Sequence, residues 1–133
     1  MTSALHAYLS YENAPAALDW LVETGFEVVT RQDGDDGSVR HAEVRLGGIV
    51  LMLATADASY DRPRLIGQST GDGLYLWADT PERVDAWFAL GVAAGATAVI
   101  TPEDTEWGTR RARLLDPGGK EWSIGTHRPG AAW

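Results

Sequence analysis

The chain has 133 residues, 44% of them apolar and 23% charged, which fits one ordinary folded domain with one core, or two half-cores sharing a sheet. Nineteen Asp and Glu against eleven Lys and Arg give a formal charge of −8, which repels a phosphate backbone and argues against a nucleic-acid partner. There is no cysteine, so disulfides, thiolate chemistry and Cys-based zinc sites are excluded, and any metal would need His and carboxylates.

No apolar run approaches the roughly 18 to 20 residues that cross a bilayer. The opening stretch MTSALHAYLSYEN has neither a basic region nor an apolar signal core, so the expectation is a cytoplasmic protein without a membrane partner. The acidic balance would attract a cationic ligand, or it serves solubility alone. Six tryptophans either fill the core or make flat walls on which planar or cationic ligands stack.

In chain order, Leu5 to Tyr11 alternates as a strand, and Asn13-Ala14-Pro15 reads as a helix start with Asn as N-cap and Pro in the first turn. The helix runs to about Thr24 with Leu18, Leu21 and Val22 on one face, and Gly25-Phe26 reads as a left-handed C-cap with its hydrophobic contact. A strand over Glu27 to Arg31 follows. A hairpin then pivots on Gly47-Gly48, between Val39 to Leu46 and Ile49 to Ala54. Residues 57–72 hold Pro63, glycines, Ser and Thr, and read as a linker or mobile loop.

The order then repeats. A strand over Leu74 to Ala78 leads to Asp79-Thr80-Pro81 and a helix with Val84, Trp87, Phe88 and Val92 on one face, closed by Gly95. A strand over Thr97 to Thr101 follows, then strands over Arg110 to Leu115 and Lys120 to Thr126 joined by Asp116-Pro117-Gly118-Gly119. The fold class is therefore α+β, one domain of two β-α-β-β-β modules: about 4–56, linker 57–72, about 73–127, and a tail 128–133. One helix covers one face of four strands, so the other faces are expected to form a shared, partly open cavity, the default binding site.

Alternation sorts each strand into two faces, and the family resemblance given below implies which of them is the cavity face. The first strand contributes His6, Tyr8 and Ser10, the matching strand Gly73, Tyr75 and Trp77, and the last strand Glu121, Ser123 and Gly125. Leu74, Leu76, Trp122 and Ile124 then pack under the helices. Tyr8, Tyr75 and Trp77 form a candidate aromatic wall with Glu121 and Glu43 as acids, and Trp107, beside Gly108, is a candidate lid. His41 and Glu43 share a strand face, either as an acid/base pair or half a metal site, or as exposed residues of an edge hairpin. His127 reads as a surface residue, and Trp20 and Trp87 as helix packing or dimer contacts.

The duplicated unit resembles the vicinal oxygen chelate superfamily of glyoxalase I, extradiol dioxygenases, and fosfomycin and bleomycin resistance proteins. The resemblance rests on Ala4-Leu5-His6, Ala17-Leu18-Asp19-Trp20-Leu21, Gly25-Phe26-Glu27 and Asp116-Pro117-Gly118-Gly119. Trp107-Gly108 with Trp122-Ser123-Ile124-Gly125-Thr126-His127 looks like its PhnB-like or bleomycin-resistance branch. Metal-dependent members would place one ligand on the first and last strand of each module. Here those places fall on His6, Met52, Gly73 and Ser123, with Glu121 two residues earlier on Ser123's face.

The resemblance therefore implies a homodimeric binding protein without catalytic residues or cofactor, which sequesters an aromatic or cationic natural product as in antibiotic resistance. His6, Tyr8, Met52, Tyr75, Trp77, Trp107, Glu121 and Ser123 would be its ligand-binding residues. The alternative is a glyoxalase-like lyase or dioxygenase with a divalent metal on His6 and Glu121, or with Glu43 in an acid/base pair.

Overall fold

The structure is a computed structural model that describes residues 2–130. The last residues of the expected tail, 131–133, lie outside the described residues. Its elements are β1 (Tyr8–Tyr11), α1 (Ala14–Glu23), β2 (Glu27–Asp33), β3 (Val39–Leu46), β4 (Ile49–Thr55), β5 (Gly73–Trp77), α2 (Pro81–Ala93), β6 (Thr97–Asp104), β7 (Arg110–Leu115) and β8 (Glu121–Gly125). They form two four-stranded mixed sheets, ordered β1-β4-β3-β2 and β5-β8-β7-β6. The chain divides into two compact units between Asp61 and Arg62. None of the helices of the described residues is long and apolar enough to cross a membrane.

Both units follow one plan. The first strand pairs in parallel with the fourth, and the remaining neighbours are antiparallel. The helix starts are those expected: the Asn13 side chain accepts from the Ala16 N–H at 3.1 Å and the Thr80 hydroxyl from Arg83 N–H at 3.3 Å, each with Pro in the first turn. Gly25 and Gly95 end the two helices at φ 108° and 116°, conformations that exclude most side chains, and Phe26 N–H closes back on the Leu21 carbonyl at 2.9 Å.

Some boundaries and faces differ from expectation. β1 begins at Tyr8 rather than Leu5, because its pairing with β4 runs only from Tyr8–Met52 to Tyr11–Thr55, and Leu5 stands exposed. β2 and β6 extend further than expected, since they keep pairing with β3 and β7 out to Asp33–Val39 and Asp104–Arg110. Val22 and Val92 do not join the buried faces. Each lies eight residues beyond a first buried position, past the edge of an arc formed by Ala14, Ala17, Leu18 and Leu21 in α1 and by Val84, Trp87, Phe88 and Gly91 in α2.

In the second unit Leu76, Ala112, Leu114, Trp122 and Ile124 bury the helix-facing side of the sheet, and Trp87 of α2 meets Trp122 at 6.1 Å between ring centroids. The turn between β7 and β8 is built on Asp116, which is 4% exposed. Its carboxylate accepts from Gly118 N–H at 3.0 Å, Lys120 N–H at 2.9 Å and the Trp122 indole N–H at 3.0 Å, tying the turn to the core. Truncation would take its carboxylate partner from the buried Trp122 indole and remove two bonds that hold the turn. Asp116→Ala is expected to lower unfolding stability by on the order of 3 kcal/mol in urea titration; a loss too small to measure would remove Asp116 as the organiser of this turn.

Candidate functional site

The helix-free face of the second sheet carries an open cleft of about 590 Å³, within the range of small-molecule sites. Strand register builds it in rows. Tyr75 pairs with Ser123 and Ser123 with Arg113; Trp77 pairs with Gly125 and Gly125 with Arg111. Period two places Arg111 and Arg113 on the cleft face because Ala112 and Leu114, which alternate with them, go into the core. Tyr75, Trp107, Glu121 and Ser123, all expected at the site, line this cleft together.

Two glycines make room. A Cβ at Gly73 would lie 2.5 Å from a Glu121 carboxylate oxygen, and one at Gly125 would lie 2.6 Å from the Tyr75 hydroxyl. Tyr75 thus crosses β8 and donates to the His127 carbonyl at 2.6 Å. Burial raises the pKa of this phenol above 10.0, which keeps it a neutral donor.

Glu121 lines the cleft but is only 7% exposed, its carboxylate taken up by neighbouring groups. One of its oxygens accepts from Thr70 N–H at 2.6 Å, Ser69 hydroxyl at 3.0 Å and Thr70 hydroxyl at 3.1 Å, while Arg113 Nε lies 3.7 Å from the other. Burial acts most strongly on its pKa, upward, but the Thr70 and Ser69 bonds and Arg113 together hold it below the ordinary 4.5. The stretch 66–70, expected in a linker, is therefore fastened to the second unit, and Arg113 Nη1 adds a bond to the Gln68 carbonyl at 2.6 Å.

Trp77 does not line the cleft. Its indole N–H donates to the Thr126 carbonyl at 3.2 Å, and the Arg128 guanidinium lies 4.6 Å from the ring centroid. Trp107 is 56% exposed with the Arg111 guanidinium 5.7 Å from its ring centroid. The residues that sequence reasoning missed are Arg110, Arg111, Arg113 and His127, all in the cleft lining. Alternation applied to RRARLL would have found Arg111 and Arg113, as it found Tyr75. Arg110 is neutralised from outside by Asp85 at 2.7 Å and Asp104 at 3.0 Å.

In the first unit, Tyr8 pairs with Met52 and Met52 with Glu43, the equivalent row. Tyr8 is exposed and Met52 half-buried. His41 and Glu43 are joined at 2.7 Å, Nε2 to Oε2, on β3, which is an interior strand and not the edge expected for it. His6 precedes β1 with Nδ1 2.9 Å from the Val50 carbonyl. Trp20 and Trp87 are both buried on their helices.

The four places that the resemblance marks for metal ligands hold an imidazole, a thioether, no side chain at Gly73, and a Ser123 hydroxyl that accepts from Arg113 Nε at 2.8 Å. As a donor set these do not fit a divalent ion. Among the described residues no group of three or more His, Asp or Glu stands together as a metal site.

Comparison with known proteins agrees with this architecture. The chain belongs to the Glyoxalase/Bleomycin resistance protein/Dioxygenase superfamily, whose family description matches residues 3–124. An uncharacterized protein of Mycobacterium bovis is 34% identical over 130 residues, covering 92% of this chain and 82% of the other. TioX from Micromonospora sp. ML1 superposes with a TM-score of 0.72 at 30% identity, over 96% of this chain and all of TioX. The PhnB protein from Bacillus cereus shares the fold at 19% identity, TM-score 0.73, over 92% and 98% of the two chains.

The held-down Glu121 carboxyl has a pH signature. A group with a depressed native pKa contributes stability that is present above its unfolded value and lost as pH falls through the folded one. Between about pH 6 and pH 3 the wild-type melting temperature is expected to fall more steeply than that of Glu121→Gln. Parallel curves would contradict the role given to the Thr70 and Ser69 bonds.

Proposed function

We propose that this protein binds a small aromatic molecule and holds it unchanged, the sequestering kind of function found in this superfamily, working in the cytoplasm as a homodimer without a metal. The observation that carries the reading is the composition of the cleft. Tyr75 and Trp107 offer ring faces, and the polar groups beside them are already engaged: Glu121 with the 66–70 stretch, Ser123 with Arg113, and the Tyr75 hydroxyl with a carbonyl. Groups tied down in this way position a ligand well and transfer protons poorly.

The expected cationic character of the ligand loses its main support, because the acid that was to supply it is buried and paired. Aromatic stacking remains. Titration with a panel of planar antibiotics is expected to give a saturable tryptophan quench and a raised melting temperature, with the compound recovered intact by mass spectrometry. Trp107→Ala is expected to weaken the retained compound about tenfold. Chemical conversion of the bound compound would sink the reading.

A catalytic reading rests on one observation, the His41–Glu43 pair on the open face of the first sheet. In that case His41→Gln would abolish turnover of a substrate and leave its binding intact.

A further inference from the structure

The chain carries a formal charge of −8, yet the cleft lining holds three guanidiniums and one carboxylate. Arg110 is matched by Asp85 and Asp104, and Glu121 is consumed by Ser69, Thr70 and Arg113. Arg111 also pairs with Glu103 and Arg113 lies near Glu121, but both through Nε, so their Nη edges set them apart from Arg110; they lie two residues apart on one strand face and hence roughly 7 Å apart at their Cα atoms.

Their bonding fixes them without using them up. Arg113 spends Nε on Ser123 and one Nη1 hydrogen on the Gln68 carbonyl. Arg111 spends Nε on Glu103 at 2.9 Å, a half-exposed acid outside the lining, with Trp107 against its guanidinium. Among the described residues no acceptor takes Nη2 of Arg113 or either Nη of Arg111. A guanidinium fork held through Nε and presenting its Nη edge is suited to the paired oxygens of a carboxylate or phosphate. Gly125, level with Arg111, has no side chain of its own, and the Tyr75 ring crosses it with its hydroxyl 2.6 Å from where a Cβ would stand.

We propose that the cleft is selective for an aromatic oxyanion, its ring against Trp107 and Tyr75 and its anionic oxygens on the Nη groups of Arg111 and Arg113. This deepens the binding function proposed above and rests on it. It reverses the sign of the ligand that overall charge implies, since the lining itself holds three guanidiniums against one carboxylate.

The test compares four probes of one ring size against the full chain by tryptophan quench: 2-naphthoate, 2-naphthyl phosphate, 2-naphthamide and 2-naphthylmethylammonium. Arg111→Gln is the main variant, because Arg113 also holds the Gln68 loop and its loss risks the fold. Arg83→Gln, on the outer helix, removes the same charge elsewhere. The expected result is that an oxyanion binds at least tenfold tighter than the amide and the ammonium compound, that added salt weakens it, and that Arg111→Gln but not Arg83→Gln erases the preference. Whichever of naphthoate and naphthyl phosphate binds tighter identifies the anionic group. Equal or tighter binding of the amide or the ammonium compound overturns the oxyanion assignment and leaves the binding function standing, as does a preference that survives Arg111→Gln. Failure of all four probes to bind up to millimolar concentration overturns both.

Discussion

The three hydrogen bonds accepted by Asp116 fix more than a turn. By clamping Gly118 and Lys120 to the indole of Trp122, they set Leu115 opposite Glu121, and every later pair of β7 and β8 follows from that one. Side chains alternate along a strand, so a slip of one residue would send Arg111 and Arg113 into the core and bring Ala112 and Leu114 to the surface. The chemistry of the open face thus depends on a carboxylate buried beneath it.

Duplication gives the two units the same backbone plan and very different open faces. Tyr8, Met52 and Glu43 form one row in the first sheet, and Tyr75, Ser123 and Arg113 form the corresponding row in the second. One step along, His41 corresponds to Arg111. Tyrosine is kept at both positions while the central strand exchanges an acid and an imidazole for two guanidiniums. Each sheet keeps its helix-facing side apolar, which folding requires, and its open side is free to differ, because little packing there depends on identity.

This division also explains what was legible in the sequence. Helix starts at Asn13 and Thr80, glycine stops at Gly25 and Gly95, and the hairpin turns are local signals, read correctly because their physics is local. The roles of Glu121 and Trp77 were not. Glu121 was placed on the right face, but its partners Ser69 and Thr70 lie some fifty residues away, and nothing short-range marks a loop that folds back onto it. Trp77 alternates correctly with Tyr75, yet a tail residue, Arg128, covers its ring. The arginines of β7 carried a readable signal. The overall negative charge points to acids instead, and an average over the surface says little about one concave patch.

The five tryptophans of the described residues fall into two optical populations. Trp20, Trp87 and Trp122 sit in apolar surroundings on or under the helices, whereas Trp77 and Trp107 face solvent on the open side of the second sheet. Indoles shielded from water emit at shorter wavelength than hydrated ones. Among these five, the blue part of the emission therefore follows the integrity of the cores and the red part follows Trp77 and Trp107, of which Trp107 lines the cleft, so core loosening and a change at the open face are distinguishable in a single spectrum without any added label.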